Sequence, residues 1–223
     1  MTVEFDPLRV YWLSGSPCAG KTTISSLLAQ KNDWNVYHCD DWWDNHRQRA
    51  SIDKHPHWYA YSRLTGDLLW LKDPQEHVAE AESAYDEEFD LILQDLAEIL
   101  SQNQKNVIFD GYVSPRNLRR VLPSDSRAFY LVAAEKFQLE YYAQRPWIRD
   151  VLAKTSDPDR AWMNWMKRDS IGARMLEEEL AQGDIPWLVV DGSITLEETM
   201  SRIATQFSED NKQSVRTADR SDR

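Results

Sequence analysis

The sequence predicts an α/β fold, a five-stranded parallel sheet with helices on both faces, and three observations carry that prediction. Five short apolar runs, at about 9–13, 35–39, 106–110, 127–132 and 186–191, alternate with stretches of helical periodicity. Strands separated by helices are joined by crossovers, which makes them parallel and covers the sheet on both sides. The glycine-rich stretch Gly15 to Thr22 falls between the first run and the first helical pattern, where such folds turn from strand to helix. At 223 residues and 42% hydrophobic content, the chain fits one domain, placed at residues 1–207.

In order along the chain, Val10-Tyr11-Trp12-Leu13 reads as a buried strand, and Ile24, Leu27 and Leu28 recur at helical spacing from Lys21 to about Lys31. Between them Gly15-Ser16-Pro17-Cys18-Ala19-Gly20-Lys21-Thr22 matches the Walker A pattern, Gly, any four residues, Gly-Lys-Ser/Thr. The chemistry requires those residue types. The glycines let the backbone turn and point its amides inward, Lys21 reaches the outer phosphates of a nucleoside triphosphate, and the Thr22 hydroxyl can hold Mg²⁺. With Thr23, the segment is the expected binding site for ATP, with GTP also allowed. Cys18 within it is either a small filler or a point of oxidation sensitivity.

The second run continues into Tyr37-His38-Cys39-Asp40-Asp41-Trp42-Trp43, which puts two carboxylates at the sheet edge where ligands bind. A hydroxyl that attacks a phosphoryl group must be oriented and must lose its proton, and a carboxylate does both. Asp40 is the preferred base, and Asp41 has a supporting or metal-linked role. Residues 41–104 are far longer than a crossover needs and are expected to form a helical insert over the sheet edge, used in substrate recognition. Within it Asp73-Pro74, with Glu76, opens a helix to about Gln102. Its stripe Val78, Tyr85, Phe89, Ile92, Leu96 and Ile99 reads as core. Trp42, Trp43, Trp58, Tyr59 and Tyr61 either stack on a ring-shaped substrate or pack the insert. His46, His55 and His57 lie nearby, and no metal site is expected, because His55-Pro56-His57 lacks a matching acid or cysteine set.

The third run, Asn106 to Tyr112, ends in Asp110, which is placed to hold Mg²⁺ directly or through water, and Gly111 allows close backbone approach. Ser114-Pro115 and Asp157-Pro158 mark further helix starts. In a chain of net charge −11, the basic residues from Arg145 onward are notable. A lid at about 145–170 would use Arg145 and Arg149, then Arg168, to neutralise the moving phosphoryl group and exclude water. Each can equally be an ion-pair partner of Asp150, Asp157, Asp159 or Asp169. After the last run, Thr195 and Glu198 suit a capping box, in a loop that can also touch the nucleotide base. Residues 208–223, nearly devoid of apolar side chains, are expected to be a disordered tail.

The negative charge argues against broad binding to nucleic acid or an anionic membrane. There is no secretory-type start and no run of about 18 apolar residues. A cytoplasmic protein with Cys18 and Cys39 reduced is expected.

On these residues the chain resembles the P-loop small-molecule kinases of the nucleoside and nucleoside-monophosphate kinase-like group. GSPCAGKTT matches their phosphate loop. HCDDWW and VIFDGY are similar to segments of uridine and nicotinamide riboside kinases, although Asp110 stands where those often carry Glu. RPWIRD sits where their arginine-bearing lid belongs. A second resemblance is to the zeta-toxin-type kinases. The resemblance implies a P-loop NTPase fold and transfer of the ATP γ-phosphoryl group, with Mg²⁺, to a small acceptor bearing a hydroxyl or phosphate. The competing expectation is a nucleotide-binding regulatory protein or NTPase acting through a protein partner. The acceptor and the oligomeric state are left open.

Overall fold

The computed structural model describes residues 5–122 and 124–221. β1 (Val10–Gly15) is the central strand of a five-stranded sheet. β3 (Val107–Asp110) and β4 (Ala128–Ala133) flank it, and β2 (Asn35–His38) and β5 (Trp187–Val190) form the edges, in the order β2-β3-β1-β4-β5. Every pairing is parallel, so all strands deliver their carboxyl ends to one edge. The chain builds first to one side of β1 and then to the other. Connections leaving β1 and its neighbours therefore diverge, and a crevice opens at that edge.

The strand period of two sorts the core. Tyr11 and Leu13 face α1 (Lys21–Asn32) and α10 (Leu196–Ser221), where Ile24, Leu28, Ile203 and Phe207 meet them. Val10 and Trp12 face the other way, against Phe89, Ile92 and Leu96 of α5 (Pro74–Gln102) and Leu176 and Leu180 of α9 (Pro158–Leu180). These strands are apolar on both faces because both faces are covered.

Between β2 and α5 the chain is helical: a 3₁₀ turn Cys39–Trp42, then α2 (Trp43–Arg49), α3 (Pro56–Tyr61) and α4 (Asp67–Trp70). Trp58, Tyr61, Ala81, Ala84 and Leu91 form a separate small core there, with Trp43 and Tyr59 packed against it. The remaining α-helices among the described residues are α6 (Pro115–Leu118), α7 (Glu135–Ala143) and α8 (Trp147–Leu152). All three Asp/Ser-Pro starts are true caps. Asp73 accepts from the amides of Gln75 and Glu76 at 2.9 and 3.2 Å, Ser114 from Asn117 at 3.4 Å and Asp157 from Arg160 at 3.1 Å.

Two expectations are corrected. The second strand, read to residue 39, stops at His38, and Asp40 and Asp41 lie in the 3₁₀ turn that follows. The expected disordered tail from residue 208 continues α10 as far as Ser221. That stretch holds no glycine or proline, and a helix already nucleated propagates through such residues. Residues 222 and 223 lie outside the described residues. Among the described residues, no helix is long and apolar enough to cross a membrane.

Candidate active site

The loop after β1 is shaped by backbone conformation. Gly15, Cys18 and Gly20 have φ of 130°, 63° and 83°, so the chain turns repeatedly, as a loop that cradles an anion must. It is pinned to β4. The Ser16 amide donates to the Leu131 carbonyl at 3.0 Å, and the Ala133 amide donates to Ser16 Oγ at 2.7 Å. Gly20 opens α1 without a side-chain cap, which leaves the first amides of α1 free of intrahelical partners and the positive end of the helix facing the crevice. Lys21 folds back so that Nζ donates to the Ser16 carbonyl at 2.7 Å. Burial pulls its pKa below the ordinary lysine value, against the opposing charges of Asp110 and Asp40. An amine so placed gains from an arriving anion.

The loop forms one wall of a cavity of ≈980 Å³ at the carboxyl edge of the sheet. Residues Gly15–Thr23, Asp40, Asp41, Asp110, Arg145 and Arg168 all line it. Arg149 is exposed on α8 and is not among its lining residues, since the helix turns that side chain away while burying Ile148. The sequence spacing alone could not separate Arg145 from Arg149.

Asp110 is buried and register-paired with His38 of β2. Side chains at a register pair project to one face, and His38 Nδ1 lies 2.8 Å from Asp110 Oδ2. Asp110 therefore keeps Oδ1 for another partner. Among the described residues no group of three or more His, Cys, Asp or Glu is arranged to hold a metal unaided. A Thr22 hydroxyl and an Asp110 carboxylate facing one cavity fit Mg²⁺, which takes few protein ligands and fills its sphere from phosphate and water. Gly111 is required by packing, because a Cβ there would meet Cys39 Cβ at 2.5 Å.

The segment expected to form a lid packs, through α9, against α4. Trp70 of α4 stacks on Trp165 of α9 with ring centroids 4.0 Å apart, and Asn164 Nδ2 donates to the Trp70 and Lys72 carbonyls, both at 3.1 Å. Arg145 lies over the Tyr142 ring at 5.1 Å. Arg168 pairs with buried Asp169 at 3.0 Å, and its Nε has no hydrogen-bond partner. Burial works against its charge, yet Asp169 holds its pKa above the usual arginine range.

Several wall residues were not singled out in the sequence. Glu82 accepts from the Tyr112 hydroxyl at 2.6 Å, and burial pushes its carboxyl pKa up. Tyr85, expected in the core stripe, also lines the cavity. On the loop side, Phe137, Tyr141, Ile194 and Leu196 offer an apolar wall suited to a base. Thr195 lines the cavity and also forms the expected capping box, its amide and hydroxyl donating to Glu198 Oε2 at 2.8 and 2.9 Å. The aromatic residues from Trp42 to Tyr61 are not among the lining residues, and Trp43, Trp58, Tyr59 and Tyr61 pack the insert instead.

This sheet order, with a glycine-rich phosphate loop joining the central strand to its helix, is the P-loop NTPase fold. TT1252 from Thermus thermophilus is similar to this chain in structure, at 15% identity over 90% of this chain and 96% of that one, with a TM-score of 0.51. Shikimate kinase from Aquifex aeolicus (18% identity, 91% and 98% covered, TM-score 0.45) and deoxyadenosine kinase from M. mycoides with bound dATP (14%, 90% and 99%, 0.42) align over similar spans. No family model and no curated protein matches the sequence.

Proposed function

We propose that the protein is a kinase that moves the γ-phosphoryl group of ATP, with Mg²⁺, to a hydroxyl or phosphate of a small metabolite. One observation carries this reading: the phosphate loop, the acidic turn Asp40-Asp41, Asp110, Arg145 and Arg168 all face one cavity large enough for a nucleotide and a small acceptor. The loop amides and Lys21 bind the phosphates, and Thr22 and Asp110 hold Mg²⁺, which when bound neutralises phosphate charge. Asp40 orients the acceptor hydroxyl and takes its proton, with Asp41 in support. Arg145 and Arg168 stabilise charge on the transferring group, while the lid region keeps water out. The likeness of HCDDWW and VIFDGY to uridine and nicotinamide riboside kinases supports a hydroxyl acceptor.

The test incubates the protein with Mg-ATP and fractionated metabolite pools and seeks, by mass spectrometry, a compound that gains one phosphoryl group, with Lys21→Ala as control. A Lys21-dependent phosphorylated product is expected. ADP formation without such a product would overturn the reading in favour of a nucleotide-driven regulatory protein that acts through a protein partner.

A further inference from the structure

Beneath the acidic turn lies a buried charged cluster that the phosphoryl-transfer chemistry does not use. His46 of α2 is fully buried, with Nδ1 2.7 Å from Glu88 Oε1 and Nε2 2.7 Å from Asp95 Oδ2. Both carboxylates belong to α5, and both are themselves buried. A neutral imidazole has one N–H and would set a lone pair against one of these oxygens, whereas an imidazolium donates to both. Arg49, also on α2, pairs with Asp95 Oδ1. Two carboxylates, one guanidinium and one imidazolium make the cluster electrically neutral, and a neutral histidine would leave a net negative charge in the interior. The Tyr37 hydroxyl of β2 completes it by donating to Asp95 Oδ2 at 3.0 Å, and the Trp58 ring of α3 packs T-shaped against the imidazole at 6.4 Å.

The cluster brackets the acidic turn. Tyr37 precedes the turn, Trp42 ends it, and His46 follows one helical turn later. Trp42 stacks on Tyr37 at 5.3 Å and on His46 at 6.4 Å. Asp40 and Asp41 lie on the backbone between two points that the cluster fixes to α5, and α5 is anchored in the sheet core through Phe89, Ile92 and Leu96.

Resting on the kinase reading above, we propose that His46 is a positively charged positioning residue, an imidazolium that ties α2 to α5 and thereby holds Asp40 and Asp41 at the cavity. Burial opposes its charge, but the hydrogen bonds to Asp95 and Glu88 outweigh burial and raise its pKa above the ordinary histidine value. Around it, burial also raises Glu88, whereas the bonds from His46, Arg49 and Tyr37 overcome burial and lower Asp95. The imidazole neither touches the cavity nor exchanges protons with substrate.

The test has two arms. The first labels histidine nitrogens with ¹⁵N in the full-length protein and follows their shifts by NMR from pH 5.5 to 8. His46 is assigned by the signal lost in His46→Gln, or in His46→Asn if the first variant does not fold. Both His46 nitrogens are expected to stay protonated through pH 7, and a single-N–H pattern at pH 7 would overturn the proposal, leaving the shared proton on Glu88. The second arm compares His46→Gln and Glu88→Gln with wild type in hydrogen exchange and in turnover. Faster amide exchange in residues 39–49 is expected, together with a fall in kcat of about tenfold to 100-fold, the size set by misplacing a catalytic group by about 1 Å. The affinity for an ATP analogue, read by direct binding, is expected to be unchanged. Unchanged exchange and kcat in both variants would overturn the positioning role. A wild-type protein with no phosphoryl transfer would instead sink the kinase reading, and the NMR and exchange arms would still report on the strut itself.

Discussion

Gly15→Ala would damage the phosphate loop before any ligand arrives. Gly15 sits at φ of 130°, a region an alanine enters only with strain of about 1–3 kcal/mol. Space is a second, separate obstacle. A Cβ at this position would lie 2.7 Å from the Leu131 carbonyl carbon and 2.8 Å from its nitrogen, and closer still to its oxygen. The obstruction is backbone of the neighbouring strand, paired with Gly15 in register, so no rotamer relieves it. Relief means parting β1 from β4, an overpacking cost of about 1–3 kcal/mol. The same oxygen accepts the Ser16 amide bond that pins the loop. Together these terms predict a loss of about 2–6 kcal/mol, which for a chain of this size lowers the melting temperature by roughly 5–20 °C. Gly172→Ala is the matched control, because a Cβ there meets nothing within 4 Å and alanine favours the interior of α9 by about 0.5–1 kcal/mol. Calorimetric melting of both variants, with direct binding of a fluorescent ATP analogue, reads the result. Equal melting temperatures and equal nucleotide affinity for Gly15→Ala and wild type would refute the argument from strand contact.

Other expectations separate residues that the sequence left together. Asp40→Asn should cut kcat by about 100-fold or more while leaving nucleotide affinity intact, the loss expected of a general base. A smaller loss than in Asp41→Asn would exchange the two roles. Arg145→Ala should lower kcat by about 100-fold through lost charge stabilisation, whereas Arg149→Ala, exposed and off the cavity wall, should stay close to wild type in a steady-state assay. Acid should expose His77, which burial, with help from Arg168 and Lys72, depresses to about 3. An unfolded histidine takes its proton near about pH 6.5, so the unfolded chain gains protons first and the stability contributed by His77 falls as pH drops from there towards 3. His46 runs oppositely, its contribution being complete below its unfolded pKa and lost as pH rises through its raised folded value. The readout is therefore the difference in melting temperature between wild type and His77→Gln, which should shift in favour of the variant between pH 6.5 and 5; a constant difference would contradict a buried neutral His77.

How much was legible depends on whether the chemistry is contiguous in the chain. The phosphate loop was, because a glycine turn, a lysine and a hydroxyl must follow one another at a helix start, and the five strands were, because each is a short apolar run, although the first continues to Gly15 and the second stops at His38. Tyr85 was not. It shares the periodic stripe of Phe89 and Ile92, and periodicity says which face of a helix is buried without saying against what. The 29 residues of α5 span about 43 Å, whereas strands of four to six residues span roughly 13–20 Å. The helix must overhang the sheet, and its Glu82 and Tyr85 reach the cavity while Phe89 onward packs on strands. Glu88 and Asp95 were hidden for another reason. Their partner His46 is 42 and 49 positions away, and no local pattern marks an acid as buried until its counter-charge is found.

Net charge, the bulk property that argued against polyanionic partners, also understates how the site treats a single polyanion. Lys21, Arg145 and Arg168 line the cavity, but so do Asp40, Asp41, Glu82, Asp110 and Asp169. Carboxylates outnumber cations, and a nucleoside triphosphate would add further negative charge. Attraction therefore depends on where each charge sits. Asp169 is committed to Arg168, and Glu82 is pushed by burial towards its neutral form and holds the Tyr112 hydroxyl. The phosphate loop adds the positive end of α1 and its own amides, which carry no formal charge and escape any count of lysines. That leaves Asp40, Asp41 and Asp110, of which Asp110 and Asp40 act on the charge of Lys21 and Asp110 also bonds His38. A divalent cation held by those carboxylates would offset the remaining repulsion, which is why the proposed reaction is written with Mg²⁺.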